Sequence, residues 1–222
     1  MSKNLSLVQR VDFIKDVCRG KKVLHLGCTN FPYTAEAIAN DMLLHFELRE
    51  IASDLYGFDA DAEGVAILEA NGCNKLFVAD LENLDEVEID ETFDVIIAGE
   101  MIEHLNNPGL FLNGIKRFMS ADTELVITTI NAYCAMRFLV YFLRGKGGTN
   151  EPVHPDHVAY YSYRTLGLTL ERMGLEVTQS YFYDVGKEHR RFNRWFYNVF
   201  NDVAVSLSPQ LSDGVIAVAK LR

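Results

Sequence analysis

Positive charge is in short supply in this sequence. Its 222 residues carry 21 Lys and Arg against 31 Asp and Glu, a formal charge of −10. Proteins that grip nucleic acid neutralise phosphates with a basic surface, so this balance argues against a nucleic-acid partner. An anionic membrane surface also repels such a chain on average. One basic cluster, Lys187, Arg190, Arg191 and Arg194, reads as a solvated face or the rim of a site for an anionic ligand. Cysteine is sparse, with Cys18, Cys28, Cys73 and Cys134 scattered and none in CxxC spacing. That pattern suits reduced core thiols and excludes a disulfide scaffold or a zinc finger. No segment approaches the roughly 18 apolar residues of a membrane-spanning helix. The longest aromatic-aliphatic run, Phe138 to Leu143, is bounded by Arg137 and Arg144 and reads as a buried or partner-facing helix. The stretch Met1 to Arg10 lacks the apolar segment of a secretory signal, so a cytoplasmic location is expected. Low-complexity tracts and internal repeats are missing as well.

What is present is the composition of a globular protein, 49% hydrophobic and 23% charged. A chain of this length buries roughly 70% of its unfolded surface, enough for a core without metal or disulfide staples. A single domain over 1–222 is expected. Short apolar runs alternate with amphipathic stretches, the signature of a parallel sheet covered by helices. The spacing predicts an N-terminal helix over 5–19, stopped by Gly20, and further helices within 35–53 and over 62–70, 108–119 and 164–173. Strands are expected at 23–26, 55–58, 75–78, 93–98, 124–129, 176–183 and 215–221. The result is an α/β, doubly wound, mostly parallel seven-stranded sheet with an antiparallel last strand. Two aromatic-rich insertions, about 130–163 and 184–212, read as lids or binding walls, with packed helical decoration an equal alternative for the second. Phe192, Trp195, Phe196, Tyr197 and Phe200 form a helically spaced stripe that suits a core or a homodimer contact.

In such sheets ligands bind beyond the carboxyl ends of the strands. The residues found there are Gly27-Cys28-Thr29, Asp59, Asp80, Gly99 to His104, and Asn131. Glycine lets a backbone approach a ligand closely. A carboxylate ending the second strand accepts hydrogen bonds from ribose hydroxyls. Asp80 can accept from an adenine amino group. Alone, each is a turn or a helix cap; together, in this order, they describe a nucleoside site.

The segment Phe93 to Pro108, with Glu100-Met101-Ile102-Glu103-His104 and Pro108 after its strand, resembles the class I S-adenosylmethionine-dependent methyltransferases. Within them it is similar to the "methyltransferase type 11", ubiquinone-biosynthesis-like branch. Glu124 to Asn131 and His157 to Ser162 resemble two further family segments, and the likeness covers about 20–183. It implies a Rossmann-like methyltransferase fold with S-adenosyl-L-methionine as cofactor. His25, Gly27, Cys28 and Thr29 would then face the methionine part, Asp59 the ribose, Asp80 and Leu81 the adenine, and Gly99, Glu100 and Met101 the methyl donor. The chain departs from the pattern in three places. His25 stands where the family's first strand carries an acid. Only Gly27 remains of the family's glycine triplet. The stretch from Gly27 to Asp59 is longer than usual.

Methyl transfer needs the acceptor, methyl and sulfur in line, which is catalysis by orientation. An oxygen acceptor also gains from a base. His104 is the candidate base, with a first-turn structural role as its alternative, and Glu103 reads as a helix-start carboxylate. Glu151, His154, Asp156 and His157 form a second cluster. The His154/His157 spacing suits metal ligands, but a polar loop fixed by Pro152 and Pro155 is favoured and no metal is expected. Asn131, His154, His157, Tyr160 and Tyr161 are candidate acceptor contacts, the tyrosines as stacking walls for a ring or sugar or as packing on the sheet. His45 and His189 read as structural or exposed. The expected reading is methyl transfer to a small-molecule acceptor, with a sugar considered. The alternatives are a degenerate cofactor-binding scaffold and, opposed by the missing G-x-G-x-x-G, an NAD-dependent oxidoreductase.

Overall fold

The computed structural model describes residues 6–144, 156–185, 190 and 193–222. The strands are β1 (Leu7–Val8), β2 (Lys22–Leu26), β3 (Asp54–Asp59), β4 (Leu76–Val78), β5 (Phe93–Gly99), β6 (Met119–Ile130), β7 (Leu175–Tyr183) and β8 (Gly214–Leu221). They form one sheet in the order β1-β7-β8-β6-β5-β2-β3-β4. Every pairing is parallel except those of β8, which runs antiparallel to both β6 and β7. The helices are α1 (Arg10–Cys18), α2 (Thr34–Ala39), α3 (Leu44–Arg49), α4 (Ala62–Ala70), α5 (Pro108–Gly114), α6 (Ala135–Arg144), α7 (Tyr163–Arg172) and α8 (Trp195–Leu207).

The central strands are near-continuous apolar runs because helices cover both faces. Side chains alternate between those faces along each strand. Leu24, Leu26, Ile96 and Ala98 join Phe58, Phe111 and Phe118 in one core layer. Val23, Val95 and Ile97 join Ile14, Cys18 and Leu48 in the other. Strand order reverses between β2 and β5, which are neighbours although separated by two strands in sequence. A crevice forms at such a switch point beyond the strand ends. Here it opens between Gly27 and Gly99.

The expected sheet is present, with differences at its margins. An eighth strand, β1, pairs with β7, so the N-terminal helix is shorter than 5–19. The helical stretch within 35–53 divides into α2 and α3, separated by Asp41 in the left-handed region (φ 53°). The helix of 108–119 stops at Gly114 and tightens into a 3-10 turn over Ile115–Phe118. α6 does contain the Phe138–Leu143 run, but Phe138 and Phe142 are 73% and 72% exposed, so the chain does not bury that face. In the aromatic stripe Trp195 is 75% exposed, which removes it from the core, while Phe192 lies outside the described residues. All four cysteines are free and buried, as scattered core thiols should be. No helix among the described residues is long and apolar enough to cross a membrane.

Candidate functional site

Gly27 follows β2 with φ 68°, and its N–H donates to the Phe58 carbonyl (2.9 Å). A side chain there would be conformationally strained and would point toward Met101, 3.7 Å away. The backbone therefore forms the floor of the crevice opposite the loop after β5. Cys28 offers only its backbone to this floor. Its side chain is fully buried among Ala37, Leu68 and Cys73, and burial pushes its thiol pKa well up.

Thr29 and Asp59 join the two loops that follow β2 and β3. The backbone N–H and the hydroxyl of Thr29 both donate to Asp59 Oδ2, each at 2.9 Å. Asp59 Oδ1 accepts from the Asp61 N–H (3.0 Å). The carboxylate expected at the ribose is thus already a loop clamp, with lone pairs remaining on both oxygens. Asp80 is exposed after β4 and accepts from the Glu82 N–H (2.8 Å), a turn contact, while Leu81 beside it is buried. Glu82 in turn accepts from the N–H groups of Asn106 and Asn107, fixing the Asp80 loop to the start of α5.

His25 does not behave as a crevice residue. It is 3% exposed, its ring stacks on that of His45 in α3, and the two Nδ1 atoms lie 3.2 Å apart. It points into the layer of helices α1 and α3, on the same face of β2 as Val23. Where an acid was expected to orient the ligand, the chain has a sealed pair of imidazoles. His45 is accordingly structural.

The loop after β5 holds the densest chemistry. Glu100 adopts φ 53° and donates its N–H to the Thr128 carbonyl (2.8 Å). Its carboxylate accepts from the Tyr183 hydroxyl (2.9 Å) and pairs with Arg10 (3.3 Å). Burial, then the Glu100 charge, raise the Tyr183 pKa far above its ordinary value, so the phenol keeps its proton and donates. Any side chain at Gly214 would strike the Tyr183 ring. Arg10 and Tyr183 were not legible as site residues, because they arrive from α1 and β7 through tertiary contacts alone.

Glu103 is a correction to the sequence reading. It belongs to a 3-10 turn over Ile102–His104, and it is completely buried rather than a solvated helix-start carboxylate. Its Oε2 accepts from the Thr129 hydroxyl (2.8 Å), while Oε1 has no hydrogen-bond partner. Burial pushes its carboxyl up to about 7. Its backbone carbonyl accepts from the N–H groups of Val158 and Ala159, which docks the segment carrying His157. The rings of His104 and His157 meet edge to face at 4.6 Å. Ligating atoms of Glu103, His104 and His157 all lie within 4.8 Å of one another.

Of the remaining expected contacts, Asn131 is structural. It is 2% exposed, and its amide donates to the carbonyls of Gln210 and Ser212 (2.8 Å each) and accepts from the Tyr133 N–H. Tyr161 is buried in the core layer and bridges Asn131, so it packs on the sheet, whereas Tyr160 is exposed at 42%. His154, Glu151 and His189 lie outside the described residues. The structure therefore brings His157 together with Glu103 and His104, a grouping that sequence spacing did not reveal.

The model of a methyltransferase domain matches residues 17–180. A ubiquinone biosynthesis O-methyltransferase of Rhodopseudomonas palustris is 27% identical over 127 residues, 55% of this chain and 50% of that protein. The chain thus spans about half the length of this curated relative. A SAM-dependent methyltransferase from Archaeoglobus fulgidus superposes with a TM-score of 0.60 at 17% identity, covering 95% of this chain and 91% of that one. The magnesium protoporphyrin IX methyltransferase of Synechocystis PCC 6803, solved with bound SAH, gives 0.59 at 11% identity, with 96% and 82% covered. These likenesses of fold agree with the crevice at the β2/β5 switch point and with the domain match over most of the sequence. The chain belongs to the class I S-adenosylmethionine-dependent methyltransferases.

Proposed function

We propose that the chain methylates a hydroxyl of a small molecule, with S-adenosylmethionine as donor. The observation that carries this reading is the grouping of Glu103 and His104, on the turn that follows β5 and Gly99–Met101, with His157 from the segment docked on it. The O-methyltransferase activity in the relatives' names supports oxygen as the accepting atom. A sugar-containing acceptor remains within this class, with exposed Tyr160 as a stacking wall.

The crevice fits the cofactor. The left-handed Gly27 leaves its floor bare of side chain, and Asp59 and Asp80 keep lone pairs for a nucleoside. When bound, the cofactor supplies a methyl group on a positively charged sulfur, an electrophile that needs no covalent help. The protein's residues then orient and hold. Asp59 accepts from ribose hydroxyls, Asp80 and the Leu81 backbone meet the adenine, and Glu100, fixed by Tyr183 and Arg10, borders the methionine end with Met101. His104 would take the acceptor's proton.

Calorimetric titration with S-adenosylmethionine and S-adenosylhomocysteine, followed by methyl transfer to a panel of hydroxylated small molecules, tests the reading. Micromolar binding and an O-methylated product are expected. A folded protein that binds neither nucleoside would instead be a degenerate scaffold, in line with the His25–His45 pair at the family's acidic position.

A further inference from the structure

We propose that α8 carries the contact face of a homodimer, in which two copies of the chain meet α8 on α8, antiparallel, about a two-fold axis level with Asn201. The proposal does not depend on the methyltransferase reading.

Three observations carry it. The first is a helix that is apolar on two sides. Asn201, Ala204 and Val205 are its buried residues, and the Asn201 amide donates to both carboxylate oxygens of Asp184 (2.9 Å each). At about 100° per residue, Trp195, Val199, Val203 and Leu207 form a ridge on the opposite side. Each is more than half exposed, Leu207 at 80%. The outward side of a surface helix is ordinarily polar.

The second is the size of the face. α6 packs against α8 and adds the exposed Phe138 and Phe142. With aromatic side chains of roughly 150–250 Å² each, and less for the two valines and the leucine, the six residues present roughly 600–700 Å² of apolar surface. The largest apolar patch of a typical monomer is about 300–600 Å². A stable interface takes about 800 Å² from each partner, rim included.

The third is that the ridge is self-complementary. Trp195 and Leu207 stand equidistant from Asn201, and so do Val199 and Val203. An antiparallel copy therefore sets Val199 against the partner's Val203, and Trp195 against the partner's Leu207, as an isologous contact requires. Interdigitation of ridges spaced four residues apart is the commonest way for helices to pack, with a crossing angle of about −50°.

Charge selects a second copy over a lipid surface. Helices that lie on membranes carry Lys and Arg along their polar side. α8 contains neither, and its exposed charge is Asp202. Arg190 nearby is already paired with Asp184 and Asp202. Arg194, exposed just before α8, comes in the antiparallel pair to the last turn of the partner's helix, where the unpaired carbonyls favour a cation.

The test uses the full chain in sedimentation velocity at micromolar concentrations. A reversible species of twice the chain mass is expected. Val203→Glu places a carboxylate in the apolar contact from each copy, and should raise the dissociation constant at least about 100-fold with an unchanged circular dichroism spectrum. A second readout fixes the register. A mixture of Val199→Cys and Val203→Cys chains, oxidised with diamide, should give a disulfide-linked dimer faster than either variant alone. A wild type that stays monomeric overturns the proposal, and so does a dimer that Val203→Glu leaves intact. Cross-linking no faster in the mixture than in the single variants overturns the antiparallel register. A monomer that co-sediments with phosphatidylglycerol vesicles through Trp195 and Leu207 would give the face to lipid instead.

Discussion

The Nδ1 atoms of His25 and His45 meet at 3.2 Å inside the layer between the sheet and α3. Such an approach requires one nitrogen with a proton and one without. Protonating the bare nitrogen turns the hydrogen bond into a contact between two N–H groups. Burial lowers both pKa values, that of His45 to about 4.

A pH dependence of stability follows. Both rings favour the neutral form in the folded state, so their contribution is fully present above the ordinary histidine value of 6.5. It is lost as the pH falls toward 4. For His45 alone the loss amounts to about 3 kcal/mol. Urea unfolding of the wild type at pH 7.5, 6 and 4.5 should show this decline. The double variant His25→Leu/His45→Leu should show a flatter profile over the same range. Parallel curves for the two proteins would mean that the pair is not the acid-sensitive element.

Tyr183→Phe isolates the hold on Glu100. It removes one hydrogen bond to a charged carboxylate while preserving the ring that packs over Gly214. The expected cost is about 1–2 kcal/mol in unfolding free energy. Affinity for S-adenosylmethionine should fall several-fold, because Glu100 is freed at the methionine end. An affinity equal to that of wild type would remove Glu100 from the proposed pocket.

Asn131→Ala separates scaffold from site. Its amide satisfies two backbone carbonyls and one N–H, and water has little access to replace them. Deleting those partners should cost about 3 kcal/mol, read as a fall in Tm or urea midpoint. The KM for the acceptor should not change. A raised KM with intact stability would restore Asn131 to the acceptor site.

The sheet was legible because parallel strands buried on both faces are short apolar runs, as Val95 to Ala98 shows, and because β2, β3 and β5 run into a glycine or an acid. Gly27, Asp59 and Gly99 could be placed at the crevice for the same reason. Three features had no such signal. β1 is only two residues long and exists because β7 offers an edge. Glu103 looks like any helix-start acid in sequence, and its burial comes from Thr129 and the 158–159 backbone, both distant along the chain. The His25–His45 pair joins residues 20 apart on different elements, so no periodicity marks it.

Asp59 has two tasks that mutation can divide. Its Oδ2 clamps the Thr29 loop through two hydrogen bonds, and its remaining lone pairs are assigned to ribose. Thr29→Val removes one clamp bond and keeps the backbone one. Asp59→Ala removes the clamp and the ribose acceptor together. A hydrogen bond to a charged group contributes about 1.5–3 kcal/mol, and 1.4 kcal/mol is a tenfold change in affinity. Asp59→Ala should therefore weaken S-adenosylhomocysteine binding by about 30-fold or more in calorimetry, while Thr29→Val stays within about fivefold. Equal losses in the two variants would show that the carboxylate acts by shaping the loop. Near-wild-type binding by Asp59→Ala would take ribose recognition away from this residue altogether.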